Sequence, residues 1–526
     1  MSGDRKGILI AGLIWIVIAA ILAVAAKFLI LPYFQEELED ETGSQSRYKN
    51  EILLAADSFS GYCVLRSSAI QKDLTAQGIK LTIQDDQADY EARMKALEKK
   101  AIHMALFTID SFIITGAKLE KFPASIVFVI DETKGADALI AYKNAVKSIE
   151  DLDHPDARIV LTPRSPSEFL ARTVIAHFSL PNLPDKWLVE ADGAEAVYKK
   201  IISADKSKKW AYALWEPYVS KALEEAPDAH ILLDSSKLKG YIIDVLVAER
   251  TFLRDHADLA QAVIEAYLRA AFAYQHNPEG MTLLVMEDAK TTGGEALSKK
   301  LADKLTQGIA WKNTMENYAY FGLLSSQDNA NLQHLEDSIV NITDVLVKTG
   351  ALTSDPLNGK AHTLFYDQIM KNLYTANFHP GKQVNLIQDF GSGTQDLAQP
   401  HRDIILRPLS DKEWASLAPV GRMQIEPISF ARGTARINIE SERNLKELAR
   451  KLAGWPYYYL KVAGHARAEG DPQANIKLAE ERANAVAQLL TAYGVDKARI
   501  KASAATPSSQ NGAAQSVSFL LMQAQF

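Results

Sequence analysis

The sequence predicts an α/β protein of two or more domains that follow one N-terminal transmembrane helix. Short apolar runs alternate with amphipathic segments from about residue 46 onward, and residues 8–26 are continuously apolar. A chain of 526 residues is too long for a single hydrophobic core. The expected segments are an anchor at 1–34, an acidic linker at 35–47, a globular region at 48–378, a linker rich in Pro and Gly at 379–405, and a second globular domain at 406–526.

The anchor is predicted from 19 apolar residues in a row at positions 8–26, glycine included. A helix needs roughly 20 such residues to cross about 30 Å of hydrocarbon. Arg5 and Lys6 precede the run and acidic residues follow it at 36–41, so the N-terminus is expected in the cytoplasm and the remainder outside it. A cleaved signal peptide is the alternative, because residues 23–25 resemble a cleavage site. Both interpretations place the bulk of the chain in the periplasm.

Composition and missing motifs exclude several functions. The net charge of −7 and the lack of a basic tract argue against nucleic-acid binding. Cys63 is the only cysteine, which excludes an internal disulfide and a cysteine-based zinc site. No acidic residue lies between Asp4 and Glu36, so the membrane segment lacks the carboxylate of ion-driven stator proteins. The HExxH, GxSxG and Walker patterns are also absent. We therefore expect no enzyme activity, catalytic residue, metal or cofactor.

The first globular region has the pattern of an open α/β sheet. Ser165, Pro166 and Glu168 fit the N-cap, N1 and N3 positions of a helix start. Periodicity predicts strands at 51–56, 79–84, 103–108, 125–130, 158–161 and 210–214, and helices at 89–100, 255–274, 315–323 and 332–349.

Several pieces of this region, in their order, resemble periplasmic solute-binding proteins of the nitrate/sulfonate/taurine type. The resemblance covers roughly residues 48–378 and implies two α/β lobes, joined by crossing strands, that close on a small ligand. Such proteins usually pass the ligand to an ABC importer. The pieces are Ser-Gly-Tyr at 60–62 after the first strand, the crossover near Asp131, Trp-Glu-Pro-Tyr at 215–218, the segments 242–249 and 255–271, and Asn-Tyr-Ala-Tyr-Phe-Gly at 317–322.

Candidate ligand-binding residues follow the predicted strands, because ligands of open α/β sheets lie beyond the carboxyl ends of the strands. The acidic candidates suit an amine or cation, whereas an arginine and two serines at a helix start suit a sulfonate, phosphate or carboxylate. Together they indicate a zwitterionic or amine-bearing solute; the alternative for each aspartate is a turn or cap residue. The candidates are Asp57, Ser58, Phe59, Gly61, Tyr62, Asp110, Ser111, Asp131, Arg164, Ser165, Ser167, Trp215 and Glu216, with Asp244 as a further possibility.

The second globular domain resembles OmpA-like domains through Gly464-His465-Ala466-Arg467, Gly470, Asn475, Leu478 and Arg482-Ala483. The resemblance implies a small α+β domain that commonly binds the diaminopimelate of peptidoglycan, with Arg482 on a carboxylate. Asn475 lies seven residues before Arg482, on the same helical face. The pattern predicts strands at 423–430, 457–462, 500–502 and 517–522, and helices at 441–452 and 471–493.

One position departs from the OmpA-like motif. Arg467 stands where the family has the aspartate that binds the ammonium of diaminopimelate. Glu469 or Asp471, in the same loop, can replace that aspartate; alternatively, Arg482 pairs with one of these acids and only holds the loop. Any peptidoglycan site would then comprise Asn475, Arg482, Arg467 and Glu469.

The sequence thus predicts a periplasmic solute-binding protein of a Gram-negative bacterium, anchored once in the inner membrane and acting as a ligand-binding adaptor or sensor. The alternatives are the substrate-binding component of an ABC importer, or an interaction scaffold whose solute site is degenerate. The expected partners are a small solute, the inner membrane, peptidoglycan, and an ABC permease or another membrane protein.

Overall fold

The computed structural model describes residues 48–293, 296–324, 333–381, 406–465, 470–505 and 517–524. The expected anchor at 1–34 and the linker at 35–47 lie outside the described residues, as does most of the linker at 379–405. None of the described helices combines the length and apolarity needed to cross a membrane. The described part contains sheets of six, five and four strands.

The chain begins with alternating strands and helices. The strands Met104–Thr108 and Ala124–Thr133 are buried along their whole length, as is typical of strands covered by helices on both faces. The elements are β1 (Asn50–Ala56), α1 (Cys63–Arg66), α2 (Ser68–Ala76), β2 (Ile79–Asp85), α3 (Tyr90–Glu98), β3 (Met104–Thr108), α4 (Ile109–Gly116) and β4 (Ala124–Thr133).

The chain then crosses at residues 134–136 into a second sheet, which together with its helices we call the second lobe. Its five strands lie in the order β7-β6-β8-β5-β9. The elements are β5 (Asp137–Tyr142), β6 (Arg158–Leu161), α5 (Pro166–His177), β7 (Leu188–Glu190), α6 (Gly193–Ile202), β8 (Trp210–Trp215), α7 (Tyr218–Glu225) and β9 (Ala229–Asp234).

A second crossing, at residues 235–242, returns the chain to the first sheet, and we call this stretch the crossing segment. The first sheet has the order β11-β4-β10-β3-β1-β2, and its strands and helices form the first lobe. The helix expected at 255–274 begins earlier, at Arg250, and is kinked at His256. The elements are β10 (Ile243–Glu249), α8 (Arg250–Gln275), α9 (Pro278–Thr291), α10 (Lys299–Gln307), β11 (Ile309–Trp311), α11 (Thr314–Tyr320), α12 (Leu335–Lys348) and α13 (Gln368–Thr375).

The C-terminal domain has four strands in the order β12-β15-β13-β14. The strand predicted at 423–430 is wrong: the strand ends at Arg422, and Met423 and Phe430 make only isolated bridges. The reason is that Met423 N still donates to Phe519 O of the last strand, whereas Gln424 N donates to the carbonyl of His177 in the second lobe instead of continuing the sheet. The elements are α14 (Asp411–Ser416), β12 (Ala418–Arg422), α15 (Ile439–Ala453), β13 (Tyr459–Gly464), α16 (Pro472–Ala492), β14 (Ile500–Ala504) and β15 (Val517–Gln523).

Candidate functional site

Strand register brings several carboxyl groups to one edge of the first-lobe sheet. Asp244, in β10, is paired with Asp131 of β4 on one side and with Thr108 of β3 on the other. Asp110 follows the end of β3, and Asp57 follows the end of β1, which is parallel to β3. This edge faces the second lobe, because both crossings leave or enter the sheet here. We call the space between the facing edges the cleft.

Asp57 is occupied by protein partners. Its carboxylate lies 3.1 Å from Arg93 Nη2 and accepts a hydrogen bond from Phe59 N at 3.0 Å. The Arg93 side chain is fully buried and also binds Asp86. The geometry therefore supports the alternative role of Asp57 as a turn residue in a buried ion-pair network. Ser58, beside it, is exposed.

The loop after β1 covers Asp131. A Cβ at Gly61 would lie 2.5 Å from Asp131 Oδ2, so only glycine allows the loop to approach this carboxyl group so closely. Tyr62 is 1% exposed and donates its hydroxyl to Asp244. The rings of Phe59 and Tyr62 meet edge to face, with centroids 5.2 Å apart. Tyr62 is thus a core residue that fixes Asp244, while Phe59 and Gly61 form the cover of the acidic edge.

Asp131 and Asp244 form a buried carboxyl pair. Asp131 is 0% exposed, and within the described part of the chain neither of its oxygens accepts a hydrogen bond from a fixed donor. Burial raises the pKa of Asp131, and burial together with the charge of Asp131 raises the pKa of Asp244. Two neighbouring carboxylates repel each other, so the raised pKa values favour a proton on one member of the pair. Lys312, whose charge opposes the rise in the pKa of Asp131, is bonded to Glu132 at 2.7 Å.

Asp110 and Asp137 are two further buried carboxyl groups at the facing edges, and neither forms an ion pair with a lysine or arginine of the described residues. Asp110 is 2% exposed, and burial raises its pKa to about 7. Asp137, the first residue of β5, accepts a hydrogen bond from Ser167 Oγ at 2.5 Å, and burial raises its pKa to about 7 as well. The hydroxyl of Ser111 donates to the carbonyl of Thr108 at 2.9 Å, so Ser111 is satisfied within its own helix turn.

The predicted anion-binding residues of the second lobe already have protein partners. Ser165 Oγ caps α5 by accepting from Glu168 N at 3.2 Å, and it donates to Thr162 O at 2.7 Å. The guanidinium of Arg164 reaches the first lobe and donates to Glu91 Oε1 at 2.7 Å. The carboxylate of Glu168 accepts from Arg164 N at the start of the same helix. This end of α5, where a bound anion would be favoured, therefore already holds a carboxylate.

Glu216 belongs to a second ion pair across the cleft. Its carboxylate is 2.6 Å from Lys304 Nζ on α10 of the first lobe, and Ser220 N also donates to it. Trp215 is half-buried against the apolar core of the second lobe, and it pairs in register with Asp137. The ion pairs Arg164–Glu91 and Glu216–Lys304 thus join the two lobes across the cleft, and we call this contact between the lobes the closed arrangement.

Sequence reasoning missed three residues of the cleft: Asp137, Glu91 and Lys304. It found Glu168 as a residue of a helix start but not as a residue of the cleft. Asp137 is recognisable only once the first crossing is known to end at residue 137. Glu91 pairs with Arg164, 73 positions away in the chain, and Lys304 pairs with Glu216, 88 positions away. No local sequence pattern reveals such pairs.

The C-terminal domain is docked on the second lobe by four buried aromatic residues, which we call the docking cluster: His177, Phe178, Tyr241 and Trp455. Trp455 Nε1 donates to His177 Nδ1 at 2.8 Å, and the Tyr241 hydroxyl lies 3.4 Å from His177 Nε2. The rings of Phe178 and Trp455 meet edge to face with centroids 5.3 Å apart. None of the four is more than 3% exposed.

Backbone hydrogen bonds reinforce this docking. They join the C-terminal domain both to the end of α5 and to the crossing segment, so the domain contacts the second lobe and the connection between the lobes. The bonds are Gln424 N to His177 O at 2.7 Å, Ser179 N to Arg422 O at 2.9 Å, and Lys239 N to Gly454 O at 3.1 Å.

The OmpA-like motif is described only in part. Arg467 and Glu469 lie outside the described residues. Arg482 is half-buried; its Nε donates to Thr434 O at 3.0 Å, and its guanidinium lies 5.0 Å from the centroid of the Phe430 ring. Asn475 is half-buried on the same helix, α16. These two contacts hold the Arg482 side chain against the turn at residues 430–437.

Comparison with known proteins supports the C-terminal assignment. The profile of the OmpA family matches residues 429–517. A search of curated protein sequences finds no match.

Among solved structures, the chain is similar to the alkanesulfonate-binding protein SsuA from Xanthomonas axonopodis pv. citri, with 16% identity and a TM-score of 0.45 over 60% of this chain and 98% of that one. It is also similar to the aliphatic sulphonate binding protein SsuA from Escherichia coli, with 16% identity and a TM-score of 0.44 over 61% of this chain and 99% of that one. The nitrate-binding protein NrtA from Synechocystis PCC 6803 gives 13% identity and a TM-score of 0.45 over 64% of this chain and 90% of that one.

Proposed function

We propose that this chain is a solute-binding adaptor of the Gram-negative cell envelope, held in the inner membrane by residues 1–34 with its bulk in the periplasm. Its two lobes close on a small solute, and its OmpA-like domain positions that event relative to the cell wall. The observation that carries this proposal is the docking of the OmpA-like domain on the second lobe and on the crossing segment.

We expect the docking cluster to make the two parts move as one body. Truncating a buried Phe or Trp to Ala typically costs about 3–5 kcal/mol. Phe178 and Trp455 are 1% and 0% exposed and lie against each other from opposite sides of the contact. Relative motion is the default for domains unless their interface is large and apolar, and this contact is built on buried aromatic side chains.

The position of the contact links it to lobe closure. Lobe closure in two-lobed proteins changes the backbone angles of a few residues in the connections between the lobes. Tyr241 and Lys239 lie in the crossing segment, and both contact Gly454 of the OmpA-like domain. Arg450 of the same domain binds Asn341 of α12, a helix that packs on both lobes. Opening and closing the lobes therefore acts directly on residues that hold the OmpA-like domain.

An ABC importer component is the second candidate function, and an interaction scaffold with a degenerate solute site is the third. The importer function leaves the docked OmpA-like domain without a role. The scaffold function leaves one buried carboxyl oxygen of Asp110 and both of Asp131, which have no hydrogen-bond partner among the described residues, without a role.

The test is a set of spin-label distances on the full chain in detergent. Labels at Lys99 of the first lobe, Lys200 of the second lobe and Lys446 of the OmpA-like domain are on exposed residues, whereas the native Cys63 is buried and resists labelling. We expect a narrow 200–446 distance distribution. In the double variant Glu91→Gln/Lys304→Gln, which removes both ion pairs, the 99–200 and 99–446 distances should lengthen together while 200–446 stays fixed.

A matched pair of variants tests the docking itself. A Cβ at Gly454 would lie 2.5 Å from the ring of Tyr241, so Gly454→Leu should separate the OmpA-like domain and broaden the 200–446 distribution. Ala453→Leu adds the same side chain at the exposed neighbouring position and should leave it narrow. A broad 200–446 distribution in the native chain contradicts the adaptor proposal.

A further inference from the structure

The cleft contains more acidic groups than the protein neutralises. Asp110, Asp131 and Asp137 lie at its facing edges and are at most 4% exposed, and none forms an ion pair with a described lysine or arginine. Buried carboxylates are normally paired or hydrogen-bonded, because transferring an unpaired charge out of water is costly. Such carboxyl groups are therefore either protonated or paired with a positively charged ligand.

We propose that the cleft binds a small organic cation through an ammonium group held by the buried carboxyl groups of Asp131 and Asp244, which are paired in register on neighbouring strands. This inference rests on the proposed solute-binding function and names the ligand class. An ammonium group donates up to three hydrogen bonds, and its positive charge compensates the negative charge of a carboxylate. The Asp131 oxygens, which have no fixed donor in the described part of the chain, are its acceptors.

An anionic ligand does not suit this cleft. The hydroxyl of Ser165 donates to Thr162 O, that of Ser167 to Asp137, and the guanidinium of Arg164 to Glu91. An incoming sulfonate or nitrate would have to break these bonds. It would also approach the uncompensated carboxyl groups described above, and like charges weaken binding.

A metal ion is also disfavoured. Calcium takes six to eight oxygen ligands, and magnesium requires a near-octahedral set. Over the described ranges, no group of three His, Cys, Asp or Glu residues is arranged to hold a metal ion. An ammonium group needs only one or two carboxylates, and an aromatic face such as that of Phe59, which lies against Gly61 beside Asp131, favours a cation further.

Entry of the ligand requires the loop after β1 to move away from Asp131. Asp131 is 0% exposed, and Phe59 and Gly61 of that loop cover it. We expect this movement to accompany separation of the lobes, and the ammonium then takes the place of the proton that the raised pKa values favour on the Asp131 and Asp244 pair. Binding therefore releases a proton and strengthens as pH rises. The titratable groups that face Asp131 and Asp244 are Asp57, Tyr62, Cys63, Tyr90, Glu132, Tyr267 and Lys312.

The experiment compares probes with the same four-carbon chain whose terminal groups are positively charged, negatively charged or neutral. Butylamine, putrescine, butanesulfonate and 1,4-butanediol are titrated by calorimetry into the full chain in detergent at pH 6 and pH 8. We expect the two amines to bind, with higher affinity at pH 8, and the sulfonate and the diol not to bind. Asp131→Asn should weaken amine binding at least tenfold, as loss of a charge-assisted hydrogen bond implies.

Two further variants keep the result interpretable. Asp185→Asn changes an exposed acid outside the cleft and should bind amines like the native chain. Asp110→Asn tests a second cleft carboxyl group in case Asp131→Asn unfolds the first lobe, and it should also weaken amine binding. Binding of butanesulfonate but not of amines overturns the cation assignment while leaving solute binding intact. Equal amine binding by native, Asp131→Asn and Asp110→Asn proteins, or no binding by any amine, also overturns it. The distance measurements on the docked domain are independent of all these results.

Discussion

Acidification is expected to loosen the docking cluster through His177. The indole N–H of Trp455 can only donate, so the Nδ1 atom that it contacts must be unprotonated and the ring neutral. A proton on Nδ1 would set two N–H groups against each other. Burial lowers the pKa of His177 to about 3, and the nearby charges of Lys451, Lys348 and Arg450 act in the same direction.

The size of the effect follows from the difference between the folded and unfolded pKa values. The pKa falls from 6.5 in the unfolded chain to about 3 in the folded one. Because the folded value is the lower one, the unfolded chain takes up the proton first, and stability is complete above pH 6.5 and is lost as pH falls. One pKa unit corresponds to about 1.4 kcal/mol, so about 2 kcal/mol should be lost at pH 5.

Hydrogen exchange measures this loss locally. The amides of Ser179 and Gln424 are bonded across the contact, and their opening free energy should fall by about 2 kcal/mol between pH 7.5 and pH 5 after correction for the intrinsic exchange rate. In His177→Asn, whose side chain has no titrating group, the pH-dependent part of the loss should disappear. His154→Asn, at an exposed histidine of the second lobe, serves as the control and should behave like the native chain.

Parallel pH profiles in the native protein and in His177→Asn would refute the reasoning. Asp110 and Asp137 change stability in the opposite sense, because their pKa values are raised and the folded chain holds their protons between about pH 4 and pH 7. Both groups are present in all three proteins, so their contribution cancels when the variants are compared.

The remaining predictions concern the cell wall and the membrane. In sacculus pull-downs of the full chain, Arg482→Ala should abolish whatever retention the native protein shows, because the arginine is the expected carboxylate ligand, and Arg467→Asp should strengthen retention by supplying an anion for the ammonium. Tight native binding that Arg467→Asp weakens would mean that the site is misassigned. Cysteine labelling at positions 2 and 45 should modify only position 45 from the periplasm, because Arg5 and Lys6 keep the N-terminus in the cytoplasm. Periplasmic labelling of position 2, or a mature protein without its first 25 residues, would contradict the retained anchor.

Much of the secondary structure could be predicted because it is encoded locally. The apolar run at 103–108 corresponds to β3, and the cap residues Ser165 and Pro166 begin α5 where expected. The strand expected at 423–430 failed because the decisive hydrogen bond of that segment, from Gln424 N to His177 O, joins two domains. Apolar periodicity contains no information about such a distant partner.

The sequence by itself placed Asp57 and Asp110 just after strands and Asp131 near the end of one, although β4 continues past Asp131 to Thr133. It did not determine their charge state or their roles, because these depend on partners that are remote in the chain. Arg93 neutralises Asp57, whereas Asp131 is paired in register with Asp244 and burial raises its pKa. Only the tertiary structure decided this, since the free energy of a buried charge is set by the groups around it rather than by its neighbours in sequence.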